Sequence, residues 1–459
     1  MRTVIPISTA LLGLSGLIAP APAIAADPAA VQQELAAMRA QMEAMARRID
    51  SLEAELAAAK ASADSAGREA QAAAQTASAA QAAAAKAPPI QVAWKGAPEI
   101  KGENGWSFKV RGRINLDAGF WDAPDSTGRP DGFGSEVRRA RIGVDGHIPG
   151  GFGYKLEAGL PNNDLELADA VVTYTDKHLT VTLGHHNNFQ SLEELSSSLH
   201  TSFIERAAFT DAFVFERRLG ASLQYQAGDV LLQGGAFSDN VSSLPGRNYG
   251  FDGRAVYMPK LGNTQLHLGG SLHYAKLAAD STLRYRQRPF VHFTSERPID
   301  TGSFSADAER GLGLEAAVIA GRFHAASEGH WQKVSREGFA DPTFFGGYFE
   351  LGYFLTAGDS RGYKEGQFDR VKPSRGFDKG GIGAIQLNAR YDYLDLNDAG
   401  LVGGRQQGYQ FSVIWSQTAY TKLMLNYAHM LYDDAVHPAA SDDDSYGVDV
   451  LAMRAQVDF

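Results

Sequence analysis

The chain has 459 residues, 44% hydrophobic and 21% charged, with 49 glycines, no cysteine and a formal net charge of -10. Without cysteine there is no disulfide scaffold, no cysteine-ligated metal and no thiol catalysis. The acidic balance disfavours a nucleic-acid partner, which would meet a basic face, whereas the length is compatible with several domains or one large barrel.

The N-terminus reads as an export signal. Arg2 supplies the positive start, Ile5 to Ile18 is largely apolar, and Ala23-Ile24-Ala25 is a small-x-small cleavage site. Residues 1–25 are therefore expected to be removed, leaving a chain that starts near Ala26. An uncleaved anchor is disfavoured because the apolar core is short and is followed by Pro20 and Pro22. No later stretch approaches the roughly 18 apolar residues of a membrane helix. The exported chain is either soluble or crosses a membrane as a closed barrel.

Within 26–60, apolar side chains fall at Val31, Leu35, Met38, Met42, Met45, Ile49, Leu52 and Leu56, in alternating steps of four and three. That heptad spacing predicts an α-helical coiled coil and hence self-association. Residues 61–98 are rich in Ala, Ser and Gln as far as Ala87 and reach Pro88-Pro89. They are expected to pass from helical to flexible linker.

From Trp106 the period changes to two. Trp106, Phe108, Val110, Ile114 and Leu116 share one strand face, and Lys109, Arg111, Arg113, Asn115 and Asp117 the other. The same dyad recurs over 385–393 and over 451–459. About sixteen such segments begin near 106, 137, 152, 166, 179, 217, 230, 250, 264, 311, 322, 345, 382, 406, 420 and 448. Their even number and their length of about nine to fourteen residues predict an all-β transmembrane barrel over 99–459. Short connections such as Pro149-Gly150-Gly151 alternate with long ones at 122–136, 188–216, 276–309 and 433–447. One connection, 357–381, falls on the short side and is long.

The segment also resembles a known family. Gly112-Arg113-Ile114, Arg138-Arg139-Ala140-Arg141-Ile142-Gly143, Leu192-Glu193-Glu194, Phe203-Ile204-Glu205-Arg206, Arg284-Tyr285-Arg286-Gln287-Arg288-Pro289 and Met453-Arg454-Ala455-Gln456-Val457-Asp458-Phe459 stand in the order and spacing of the phosphate-selective porin O and P family. The resemblance covers 105–459. It implies an outer-membrane homotrimer of sixteen-stranded barrels surrounded by lipid and lipopolysaccharide, with inward-folded loops and arginine ladders that conduct small anions such as phosphate or polyphosphate. Arg113, Arg139, Arg206, Arg284, Arg286 and Arg288, and more loosely Arg454, match ladder positions. Members that prefer phosphate carry a lysine after the Leu-Glu of the third loop, where this chain has Glu194. That departure points to a wider anion or small-solute pore.

Apart from the resemblance, alternation alone places Lys109, Arg111, Arg113, Arg139 and Arg141 toward the lumen, and fixed guanidinium groups are a device for anion selectivity. Lumen residues must be polar in any case, so one arginine paired with Asp145 or Glu157 has a purely structural explanation. Arg138 and Arg139 are adjacent, so a regular strand turns only one inward unless a bulge intervenes. Asp442-Asp443-Asp444 reads as a solvated loop tip. His185-His186 and the pairs His267/His273 and His324/His330 lack a chelating spacing, so neither metal nor cofactor is expected. No Gly-x-Ser-x-Gly turn is present, which disfavours an enzyme. The alternative to a porin is a tether, in which a periplasmic coiled coil grips the cell wall and the barrel is a general or closed anchor.

Overall fold

The computed structural model describes residues 28–86, 90–160, 165–243 and 245–459, so the expected export signal and its cleavage site lie outside the described residues. Two compact units are present, 1–88 and 89–459.

The first unit holds one helix, α1, Pro28–Lys86. Helix formers fill it, and the helix runs on through the Ala-rich tract beyond residue 60. Every heptad position from Val31 to Leu56 is exposed in the single chain, between 41% and 62%.

In the second unit sixteen antiparallel strands close into a barrel. In chain order they are β1 Ser107–Asp122, β2 Gly132–Ile148, β3 Phe152–Gly159, β4 Glu166–Asp176, β5 Leu179–Asn187, β6 Arg217–Ala227, β7 Val230–Phe237 and β8 Tyr249–Tyr257. The second half comprises β9 Thr264–Lys276, β10 Ala308–Ala320, β11 Phe323–Ser335, β12 Thr343–Phe354, β13 Ala384–Asp398, β14 Leu401–Ser416, β15 Thr421–Asp433 and β16 Tyr446–Asp458. Each strand pairs with its chain neighbour, and β16 returns to β1 in the register Asp458↔Arg113 to Asp449↔Asp122. β2 begins at Gly132 rather than near 137, because its ladder with β1 continues to Trp121↔Gly132 past the apolar alternation that marks it in sequence.

The alternation is inverted relative to a water-soluble sheet. On β16, Leu451, Met453 and Val457 are exposed while Arg454, Gln456 and Asp458 are buried. On β13, Leu387 and Tyr391 face out while Gln386, Asn388, Arg390 and Asp392 are buried. An apolar exterior of this extent would aggregate in water, but it matches lipid. Phe152, Tyr174, Tyr225, Tyr257 and Tyr353 form an exposed aromatic row beside the short turns.

Below its last pairing with β16, the edge of β1 is covered by a hairpin, Gln91–Lys95 and Ala97–Lys101, which pairs Glu99↔Lys109 to Lys101↔Ser107. The hairpin supplies partners to β1 along that stretch. At the same junction Gly112 and Phe459 exchange both backbone hydrogen bonds at 3.0 Å. A Cβ on Gly112 would sit 2.3 Å from the Phe459 ring, so only glycine lets the terminal aromatic lie flat over β1.

Replacing Gly112 with valine should therefore overpack the seam at a cost of about 1–3 kcal/mol. Both Gly112→Val and deletion of Phe459 are expected to lower the fraction of heat-modifiable, folded barrel recovered from membranes. Unchanged recovery in both would separate the terminal aromatic from closure.

Candidate functional site: the lumen and its inward loops

Three connections leave the barrel rim and fold into the lumen, where each buries apolar side chains. The loop 188–216 carries two helical turns, α2 Leu192–Leu195 and α3 Ala208–Ala212, and buries Leu192, Phe203 and Phe209. The loop 277–307 buries Tyr285, Phe290 and Ile299. The long connection 355–383 enters from the short-turn end and buries Phe368. With Phe344, Tyr348, Leu394, Met430 and Tyr432 on the wall they form one apolar cluster that closes the side of the lumen lined by the later strands.

Charge then fixes the position of loop 188–216. The first N–H groups of α2, on Leu192 and Glu193, donate to the Glu328 carboxylate at 2.8 and 2.7 Å, as helix N-termini favour an anion. Ala208 N–H donates to Asp392 at 2.9 Å and Ile204 N–H to Asn426 at 3.0 Å. Arg390 bridges Glu193 and Glu350, both at 2.7 Å. Arg206 donates to the carbonyls of Glu193, Glu194 and Ser196, which the short helix leaves unpaired. The connection 355–383 locks against the same loop through Phe368 N–H to Ser196 Oγ at 3.1 Å, and Arg361 donates to Ser202 Oγ at 2.6 Å.

Beside the early strands the lumen stays open as two cavities. The larger, about 430 Å³, lies toward the short turns; the smaller, about 280 Å³, lies toward the long loops. Arg139, Glu194 and Arg206 line both and form the waist between them. Around the larger chamber stand Arg113, Arg139, Arg141, Lys155, Arg206 and Arg217. Against these six cations are three carboxylates: Asp169 and Glu194 in the lining, and Glu157 behind it. Glu157 takes Arg113 at 3.1 Å and Arg141 at 3.3 Å, and Asp169 takes Lys155 at 2.6 Å and Arg217 at 2.9 Å. Among the described residues the chamber therefore carries a net of three positive charges. In the smaller cavity Arg138, Arg139, Arg206 and Arg288 face Glu194, Glu205, Asp211 and Glu216, which balances to zero.

Among the sequence-predicted residues, Arg113, Arg139, Arg141, Arg206, Arg288 and Glu194 are brought to these cavities. Arg138 joins them because β2 bulges: Asn115 pairs with Arg139 and Leu116 with Val137, so both adjacent arginines turn inward. Lys109 and Arg111 sit lower on β1, bonded to the Lys95 carbonyl and to Asp145. Arg284 and Arg286 are exposed on loop 277–307, Arg284 paired with Asp300, because Tyr285 and Gln287 take the buried side of that segment. Arg454 is fully buried between Asp117 and Glu205, at 2.6 and 3.3 Å. Lys155 and Arg217 were not singled out from sequence. The available signal was their strand phase, inward with the alternation of β3 and β6, but nothing in the pattern ranks one inward cation above another.

At the waist, burial pushes the Glu194 carboxyl up against the pull of Arg206. For Glu205, burial acts in the same upward direction, but Arg138 at 2.7 Å holds it well below the usual carboxylate range. These neighbouring acids of one loop therefore respond differently to proton concentration.

The model of the phosphate-selective porin O and P family matches residues 108–459. An uncharacterized protein of Caulobacter vibrioides is 47% identical over an alignment of 385 residues that covers 81% of this chain and 78% of that one. Among solved structures, OmpT of Vibrio cholerae, an outer-membrane protein folded in vitro, matches with TM-score 0.50 at 10% identity, over 78% of this chain and 99% of that one. Its trimer form matches with TM-score 0.50 at 9% identity, over 77% and 100%. At such identities the likeness concerns the barrel fold.

Glu194 supplies a pH test. A raised carboxyl pKa means that the acid becomes neutral as pH falls, so the waist gains net positive charge. Anion-over-cation permeability from reversal potentials should rise as pH falls from neutral toward the ordinary carboxylate range, and Glu194→Gln should be high and flat over the same titration. A parent protein as flat as the variant would remove Glu194 from the conduction path.

Proposed function

We propose, from the premise that the chain belongs to the phosphate-selective porin O and P family, that this outer-membrane porin passes small anions, phosphate-like ions among them, through the chamber beside its early strands. One observation carries the reading: six cations meet three carboxylates there, although the whole chain is acidic. Local charge governs a passing ion because the Debye length is about 8 Å at physiological salt. Distant loop acids are screened, while groups in the lumen wall are not. Guanidinium groups keep their charge and offer several donors to oxyanions. Glu194 at the waist opposes tight capture of phosphate, which favours passage of a wider set of anions.

The working unit in this reading is a homotrimer embedded in lipid and lipopolysaccharide, with α1 in the periplasm. Strands β3 to β8 have 8 to 11 residues, whereas the others have 12 to 17. Eight tilted residues at about 3.3 Å each reach only ~20 Å, short of an apolar band about 25 Å tall. Neighbouring copies covering that arc would relieve the mismatch. The exposed heptad row of α1 supports the same assembly, because a single helix with an apolar stripe gains most of its stability from packing.

Two experiments follow. In planar bilayers with a KCl gradient the parent should be anion-preferring, and the double variant Arg113→Glu, Arg139→Glu should move the reversal potential toward cations. Neutralising Asp442, Asp443 and Asp444 should leave it nearly unchanged. A closed or non-selective parent would favour the tether instead. Removing residues 28–86 should leave a folded barrel whose oligomer dissociates at lower temperature on semi-native gels; an unchanged dissociation temperature would assign α1 a task other than assembly.

A further inference from the structure

Six cations line the larger chamber. Four of them form two pairs, each pair sharing one carboxylate. Glu157 accepts from Arg113 on both oxygens, at 3.3 and 3.1 Å, and shares Oε1 with Arg141 at 3.3 Å. Asp169 gives one oxygen to Lys155 and the other to Arg217. In each group the carboxylate holds two cations in place and cancels only one of them. Each pair thus keeps one unit of positive charge and spare donor N–H groups, already immobilised before any solute arrives. A third charge sits at the waist, where Arg139 has a buried Nη1 without a hydrogen-bond partner and no ion pair among the described residues.

The two pairs face one shared chamber. At about 430 Å³ it is in the range that holds small organic ligands. Its remaining wall is mixed: Ser196 to Ser198, Thr173 and Gln224 offer neutral polar groups, while Val171, Phe189 and Leu195 offer apolar surface. Arg113 is additionally steadied by Ser198 Oγ at 3.0 Å.

We propose that this chamber is a binding site for organic anions with two or more acidic groups on a short carbon body, one group on each half-neutralised pair. The proposal rests on the anion-pore reading and narrows it. A second acidic group gains a second charged contact at little added entropic cost, so affinity rises steeply from one acid to two. The apolar patch accepts the carbon body, which inorganic phosphate lacks.

The test uses the full-length porin in planar bilayers carrying KCl current at neutral pH, with acetate, succinate, citrate or orthophosphate added at constant ionic strength. Succinate should block at concentrations about tenfold lower than acetate, citrate lower still, and orthophosphate more weakly than succinate. Arg217→Gln and Arg141→Gln, each removing the surplus charge of one pair, should bring succinate block close to that of acetate. Both variants should keep the parent's heat-modifiable migration, and the four-anion comparison on the parent needs no variant. Equal block by acetate and succinate, orthophosphate blocking as strongly as succinate, or a succinate-to-acetate ratio unmoved by both variants would overturn the proposal. A reversal potential favouring anions alongside any of those results would leave the anion pore standing and remove only the two-pair site; one favouring cations would remove both.

Discussion

In hydrocarbon a backbone N–H or C=O has no water to bond, so every such group on a spanning strand must be paired within the sheet. This demand is met here by the β16–β1 ladder, and the rest of the architecture follows from it. Closing the ring fixes strand phase, because a one-residue slip would turn every apolar side chain inward. It sets the last strand against the first, with Phe459 hydrogen-bonded to Gly112 and its ring over that glycine. Where β16 runs out, the hairpin 91–101 takes over the exposed edge of β1. A barrel with a fixed wall then has an interior of fixed width, and what occupies that interior decides what passes.

The occupant is three inward connections held by buried charge. Burying carboxylates and guanidinium groups costs several kcal/mol per ion unless each is paired and hydrogen-bonded. Glu328 satisfies the start of α2, Arg206 its end, and Arg390 ties Glu193 to the wall through Glu350. Removing one partner leaves a charge stranded, so the loop is held in one position rather than sampling many. Apolar packing of Phe203, Phe209 and Tyr285 seals one side of the lumen, and the two cavities lie on the side bearing the shared-carboxylate pairs. Specificity of placement, more than net stability, is what such a network supplies. The division into a neutral outer cavity and a cationic inner chamber follows from where the loop acids are carried: Glu205, Asp211 and Glu216 all end on the long-loop side of the waist.

The barrel was legible because alternation with a period of two, sustained over ten residues with apolar and charged residues on opposite faces, has few other physical meanings. Strand number, the long and short connections and the inward phase of Arg113, Arg139 and Arg141 all follow from that period. The anomalous connection 357–381 was also visible, and its length reflects its entry into the lumen to meet Ser196 and Ser202. The arginine run 284–288 was less legible. Its alternation places three arginines on one face, and that face looks to solvent at Arg284 and Arg286 while Tyr285 packs inside.

The sequence by itself determined the closed barrel, the exposed heptad helix and which strand residues face inward, because these depend on periodicity, and periodicity is a local property of the chain. Only the tertiary structure decided which inward cations share a carboxylate. Glu157 meets Arg113 across an intervening strand, Asp169 meets Arg217 from across β5, and Arg138 turns inward only because β2 gains a residue against β1. Such neighbours are set by register and bulges between strands far apart in sequence. Electrostatic interaction depends on distance in space, so the charge that an ion meets in the lumen is a property of the closed ring and of no single strand.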